Sequence, residues 1–437
     1  MDGGSNKKLG LALAILATGA LAAPMSANAA DLGGNCCADL EERIAELEAT
    51  TARKGNRKVS LTISGWVTEQ IMGWDDGLDT DAYVGTSLND LGNRLHFDGS
   101  AKIDNDLSAG YSLRFDVNGA NGFVQDANND NGGEGPVSVL NSYWYIKSER
   151  LGKVSLGRQS HATDDVWVDL SGAGSIFAAN LVIFDGQNFN LVSNGVRTTA
   201  TWGDIATCAT TGVGIFGDCG GDRTNSVRYD TPTIAGFVAS ASWGEDDFYD
   251  VALRHNGEFG GFKTAFGAGY QANRDNRIGV VNDAELFQVN AAFLHTATGI
   301  FGSVHWGRET QDNGPDTQQL YLKAGVRTSL NALGSTVFYG EYGQDDDMFN
   351  GFNGGNVFRD APLDFGVGAR NVGFFGALAT DSEMTRWGVG VVQEIDAASM
   401  AVWLKYKNYS ADITLQNGAS PDFEDLHIFA LGGAVFF

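Results

Sequence analysis

From Val59 to Phe437, apolar and polar residues alternate in stretches of eight to fourteen, each closed by a break. NRLHFD at 93–98 sets Leu95 and Phe97 against Arg94, His96 and Asp98, and YSLRFDV at 111–117 sets Leu113, Phe115 and Val117 against Ser112, Arg114 and Asp116. LYLKAGVR (320–327) opposes Leu320, Leu322 and Val326 to Lys323 and Arg327, and MAVWLKYK (400–407) opposes Met400, Val402, Leu404 and Tyr406 to Trp403, Lys405 and Lys407. A period of two is that of a strand with one apolar and one polar face. Sixteen such segments begin near residues 59, 92, 107, 138, 153, 223, 235, 247, 261, 284, 299, 315, 333, 382, 397 and 423.

The breaks between them fall into two sets. Short ones, such as DND (104–106), RLG (150–152), FGG (259–261), ATG (297–299), NALG (331–334) and DAA (396–398), alternate with mostly longer ones rich in Asp, Asn and Gly, including 75–91, 119–137, 160–222 and 344–381. Short turns at one end and long loops at the other predict an up-and-down barrel in a membrane. Lipid offers no hydrogen bonds to an open sheet edge, so spanning strands must close on themselves. The fold class predicted is all-β: a 16-stranded antiparallel transmembrane β-barrel occupying 59–437, with a short N-terminal helix outside it.

That helix has a different period. Leu40, Ile44, Leu47 and Thr51 stand four, three and four residues apart, and Arg53, Lys54, Arg57 and Lys58 join them to the first strand. Upstream, Lys7 and Lys8 precede an apolar run from Leu9 to Ala23, and Ala27-Asn28-Ala29 is an A-x-A cleavage site, so 1–29 reads as a signal peptide. Residues 30–58 then form the helix and its basic linker. An even strand number puts both chain ends on one side, so the helix hangs in the periplasm. Alone it is too short to be stable in water; three copies could bury Leu40, Ile44 and Leu47 in a coiled coil.

Composition agrees with many strands: 59 Gly, 6 Pro and 26 Phe. A net charge of −25 argues against nucleic acid as a partner, since phosphate binding needs the opposite sign. In an oxidising compartment Cys208 and Cys219 are expected to form a disulfide, while Cys36 and Cys37 have no assigned partner and could cross-link subunits.

The run CADLEERIAELEATTARKGNRKVSLTISG (37–65), LGRQ at 156–159 and the terminal FF resemble the alphaproteobacterial general porins. That resemblance implies a homotrimer in the outer membrane, among its lipid and lipopolysaccharide, with passive diffusion of ions and small hydrophilic solutes and no catalysis. Phe437 matches the terminal aromatic through which the barrel-assembly machinery recognises outer-membrane proteins. The resemblance also folds the long loop 160–222 into the lumen as a constriction. Its acidic side would be Asp164, Asp165, Asp169 and Asp185, with Asp204 further on. The basic wall facing it would be Arg94, Arg114 and Arg228 by strand parity. Arg158 joins them from its place in LGRQ, although alternation puts it on the row of Val154 and Leu156. Opposed charges across a wet constriction favour hydrated solutes, and the loop carboxylates would bias the pore toward cations.

Other motifs carry less. GVGIFG (212–217) lacks the strand and helix that a nucleotide loop needs. DANNDNGGE (126–134) misses the Gly and Glu of an EF-hand, leaving only weak Ca²⁺ binding at acidic loops. No cofactor or metal site is expected. Alternative readings are a channel selective for sugars or anions, with Trp403 as one element of an aromatic slide, and more remotely an outer-membrane hydrolase.

Overall fold

A computed structural model describes residues 58–437 apart from 87–91, 118, 121, 123–124, 131–136, 165, 181–184, 207–222, 245–246, 275–282, 312–314, 349–363, 366–376 and 416. The signal peptide, the helix with Leu40, Ile44 and Leu47, all four cysteines and Asp165 lie outside the described residues.

Among the described residues, sixteen long strands form one closed antiparallel barrel. They are β1 (Thr62–Asp75), β2 (Arg94–Lys102), β3 (Leu107–Asp116), β4 (Ser138–Ser148), β5 (Gly152–Ser160), β6 (Arg223–Asp230), β7 (Phe237–Gly244) and β8 (Tyr249–Phe259). The circuit continues through β9 (Phe262–Asn273), β10 (Ala284–His295), β11 (Ile300–Gln311), β12 (Thr317–Asn331), β13 (Gly334–Asp346), β14 (Ala377–Ile395), β15 (Met400–Leu415) and β16 (Leu426–Phe436). Each strand pairs with its predecessor, and β1 closes the circuit on β16 from Trp66↔Phe436 to Asp75↔His427. Smaller pieces decorate the long loops: a strand Thr80–Gly85 folds back on β1, and a hairpin pairs Asn190–Ser193 with Val196–Thr201.

The alternation read from the sequence is inside-out relative to a soluble protein. Ile63, Val67 and Ile71 of β1 point outward and are about half exposed, while Thr68, Gln70, Met72 and Trp74 between them are buried. The same inversion runs around the wall, with Val251, Leu253, Phe266, Phe287, Leu404 and Phe429 outside and Asp250, Gln271, Gln288 and Lys405 inside. Lipid is the solvent of the outer rows, so exposed apolar side chains are favourable there.

Wall height varies. β5, β6 and β7 have 9, 8 and 8 residues, whereas β14 and β15 have 19 and 16. Outward Trp and Tyr residues toward the long loops (Trp243, Tyr249, Tyr270, Trp306, Tyr342, Trp387 and Tyr406) lie on β7 to β15, the interfacial placement that their amphipathic rings prefer.

Candidate functional site

The loop after β5 turns inward and follows the inner wall. Its backbone is bonded first to β7 and β8: Ala162 N donates to Ser242 Oγ at 3.0 Å, and Thr163 N and Oγ1 donate to Asp250 Oδ2 at 2.6 and 2.7 Å. Arg254 Nη1 donates to Ala162 O at 2.7 Å. On β10, Gln288 Nε2 donates to Thr163 O and Asn290 Nδ2 to Val168 O, both at 3.1 Å. Between these, β9 presents Gly267, where a Cβ would stand 2.2 Å from Val166 O. Only glycine admits so close a backbone.

Further along, Lys323 of β12 bonds Asp169 Oδ2 at 2.7 Å and the carbonyls of Ser175 and Ala179 at 3.1 and 3.0 Å. These carbonyls belong to a single-turn helix, α1 (Ala173–Ala178), and its C-cap. Phe177 of α1 meets Trp66 edge-on at 5.5 Å and lies 6.5 Å from Trp403. Beyond α1, Asp185 accepts from Lys405 Nζ at 2.5 Å and from Gln70 Nε2 at 2.7 Å. Phe189, Leu191, Trp202 and Ile205 then pack on Met72, Trp74, Tyr409 and Ile428. The described part of the loop thus contacts the inner face from β6 around to β16 and β1, and these contacts do not include the inward rows of β2 to β5.

The expected charges sort into distinct roles. Asp169 and Asp185 are paired to lysines whose side chains, like their own, are at most 1 % exposed. They fasten the loop to the wall. Asp164 faces Arg223 at 3.5 Å, and Asp204 accepts from Thr201 N at 2.9 Å to cap a short turn. Arg94 is inward, paired to Asp116 at 2.7 Å and set over the Trp66 ring at 5.3 Å. Arg228 is inward, bonded to Asp230 at 3.0 Å and to His161 O at 2.9 Å, at the root of the loop. Arg114 lies on the inward row between His96 and Asn141, and its Nε finds no hydrogen-bond partner.

Arg158 departs from the expectation. It pairs in register with Ser142 and Asn225, shares the outward row of Val154 and Leu156, and is exposed. Gly157 beside it has φ +132 and kinks the strand, but the register to β6 continues without a shift, so the kink does not turn Arg158 inward. Trp403 is inward but only 1 % exposed, so α1 and the wall cover the surface that a sugar slide would need.

Two loop groups have displaced proton affinities. Burial alone would raise the Asp185 carboxyl, but Lys405 and Lys407 outweigh it and hold the group below the usual carboxylate range. Burial and the cations of Arg223, Arg228 and Arg158 push His161 down to about 3, and its ring stacks on Phe248 at 3.7 Å. Both arrangements are static anchors: a neutral imidazole at the loop root and an ionised carboxylate at its far side. The partners that parity alone did not pair with the loop are Lys323, Lys405, Arg254 and Gln70, all on inward rows.

Among solved structures, the barrel is similar to an anion-selective porin from Comamonas acidovorans (TM-score 0.53, 14% identity, covering 87% of this chain and 100% of that one). It is also similar to OmpT, an outer membrane protein of Vibrio cholerae (TM-score 0.51, 14% identity, 88% and 99% covered), and to Salmonella typhi OmpF in complex with daunomycin (TM-score 0.51, 14% identity, 88% and 99% covered). At such identities the likeness is one of fold. No curated protein sequence matches. The family model of the Gram-negative porins matches residues 12–428. With that match over a closed sixteen-stranded barrel whose third long loop lines its interior, the chain belongs to the Gram-negative porin family, the outer-membrane channels of passive diffusion.

Proposed function

We propose that the protein is a general diffusion porin of low selectivity, whose open passage runs along the inward rows of β2 to β5. One observation carries this reading: the loop carboxylates Asp169 and Asp185 are neutralised by buried lysines, while Arg114 lies on the inward row of β3, away from the anchors of the described loop residues. Fixed charge on the inward rows of that wall is Arg94, Lys102, Arg114, Lys147 and Lys153 against Asp98 and Asp116, with Arg94 paired to Asp116, Lys147 to Glu149 and Lys153 to Asp230. Charges inside a narrow passage between low-dielectric walls are screened less than those on outer loops. A slight anion preference follows in spite of the chain's acidity, in place of the cation bias expected from the loop.

The rest of the organisation belongs to the same proposal. The signal peptide is cleaved near Ala29, leaving a periplasmic helix before a barrel that assembles as a homotrimer in lipopolysaccharide-containing membrane, as in the alphaproteobacterial general porins. Cys208 and Cys219 stiffen the loop as a disulfide, Phe437 addresses the chain to the assembly machinery, Ca²⁺ binds weakly to the acidic loops, and transport proceeds without a catalytic step. Planar-bilayer recordings test the core of it. Currents should rise with salt without saturating, and the reversal potential under a KCl gradient should lean slightly toward chloride. Saturation by one sugar or anion would replace the general pore with a selective one, and a clear potassium preference would restore the acidic constriction.

A further inference from the structure

Asp230 ends β6 on its short-turn side and lies on the inward row, between Lys153 of β5 and Ser240 of β7 in register. Its two carboxylate oxygens serve different partners. Oδ1 accepts from Ser240 Oγ at 2.6 Å and from Arg228 Nε at 3.0 Å, with Arg254 Nη2 at 3.7 Å. Oδ2 faces Lys153 Nζ at 3.1 Å. One carboxylate thus stands among three cations, two on the side of the long loop and one on the side of β5.

The two arginines relay this contact to the loop. A guanidinium is a planar fork, so a partner on one edge fixes where the other edge points. Arg228 gives Nε to Asp230 and Nη1 to the carbonyls of Ser160 and His161, at 3.2 and 2.9 Å. Arg254 turns Nη2 to Ser240 and Asp230, and Nη1 to Ala162 O at 2.7 Å. Three successive carbonyls are held where the chain leaves β5, and a backbone departing from a ladder needs such donors. The side chains of Asp230, Arg228 and Arg254 are 12, 10 and 11 % exposed, so repulsion between the two guanidiniums is weakly screened once the carboxylate is gone. Lys153 differs: its side chain is 32 % exposed, on the inward row of β5.

We infer that Asp230 is a positioning residue for diffusion: through Arg228 and Arg254 it sets where the long loop leaves the wall, and through Lys153 it sets the ion preference of the passage. The Lys153 arm rests on the passage proposed along β2 to β5, and the loop arm does not. No solute needs to touch Asp230. A lysine held by a carboxylate presents a nearly neutral pair to a passing ion, and the same lysine released presents a full positive charge. Loop placement and ion preference are therefore coupled through one side chain. Because its oxygens serve different partners, the two arms can be cut separately.

The test compares wild type with Asp230→Asn, Asp230→Glu, Lys153→Gln, Arg254→Gln and the double variant Asp230→Asn/Lys153→Gln, each checked for barrel closure by heat-modifiable gel migration. Two quantities are read: the rate of protease nicking in the long loop of the closed barrel, and the reversal potential under a KCl gradient. Asp230→Asn should be nicked several-fold faster and lean further toward chloride, while Asp230→Glu stays near wild type in both. Lys153→Gln should keep wild-type nicking and move toward potassium. The double variant should keep the fast nicking and lose the chloride gain. Arg254→Gln retains the carboxylate but cuts one relay, so its faster nicking decides the loop arm if Asp230→Asn does not close. Wild-type nicking in Arg254→Gln and in any closed Asp230→Asn would overturn the positioning role. A chloride gain that survives in the double variant would overturn the Lys153 arm alone. Fast nicking with an ion preference unmoved by either Asp230→Asn or Lys153→Gln would overturn that arm together with the proposed passage, and leave the loop arm standing.

Discussion

Two arcs of the barrel share one strand grammar and use it differently. Along β7 to β16 the inward side chains are occupied: Ser242, Asp250, Gln288, Lys323 and Lys405 hold the long loop, and the outward rows carry the interfacial Trp and Tyr residues. Along β2 to β5 the inward residues His96, Arg114 and Tyr143 make none of these bonds to the described part of the loop, and the outward row carries Arg158. Alternation tells which side a residue faces. It does not tell whether water, lipid, a loop or another subunit waits there.

The sharpest way to break this comparison is to unfasten the covered arc. Lys405→Ala leaves Asp185 buried and unpaired, and Lys323→Ala does the same to Asp169. Each should destabilise the loop by about 3–5 kcal/mol and enlarge single-channel conductance or make it noisy. Heat denaturation in detergent and bilayer recordings would check both effects, and a quiet, unchanged channel would mean that the loop does not depend on these anchors.

Gly267→Ala probes the same arc by sterics alone. With Val166 O standing 2.2 Å from the new Cβ, the loop backbone must shift, and overpacking of this kind costs about 1–3 kcal/mol. The same substitution at Gly110 is a poor control, because a Cβ there would meet the Tyr145 ring and the Gly99 carbonyl of the wall itself. Proteolytic nicking of the loop in intact barrels would report the displacement.

A smaller effect is expected from pH. His161, held near 3 when folded, stays neutral where the unfolded chain takes a proton at its ordinary value near 6.5. Stability contributed by the neutral ring is therefore full above about 6.5 and falls as pH drops toward 3. Between pH 7 and pH 6 the loss is on the order of 1 kcal/mol. His161→Gln should flatten that part of the stability profile, and an unchanged slope would show that the ring is open to protonation in the folded loop.

The open arc should respond least in stability. Arg114→Ala should change it by no more than about 0.5 kcal/mol, yet move the reversal potential toward cations. A large loss of stability without a shift in selectivity would make Arg114 a wall anchor of the covered kind.

Much of the fold was legible because a barrel repeats a period of two at every strand, and strand starts near 107, 138, 223, 284 and 382 agree with the structure to within a few residues. The polar face of LYLKAGVR and MAVWLKYK placed Lys323 and Lys405 inward as well. Their partners were hidden for a physical reason: Asp169 and Asp185 lie 154 and 220 residues away in the chain, and nothing local couples them. For Arg158, simple alternation was right, and the inward place suggested by LGRQ was not, because a kink at one glycine does not invert a continuous register.

The seam between β1 and β16 imposes an order in time. Gly65 and Phe437 exchange backbone hydrogen bonds at 2.9 and 3.0 Å, so the sixteenth strand is needed to close the first. A chain with so much of its structure in distant contacts folds slowly, although each doubling of loop length adds only about 0.6 kcal/mol to closure. The expense is delay. Until β16 arrives, the sheet made so far has two unsatisfied edges, and a barrel of this design has to be kept soluble through export and finished only once all sixteen strands are present at the membrane.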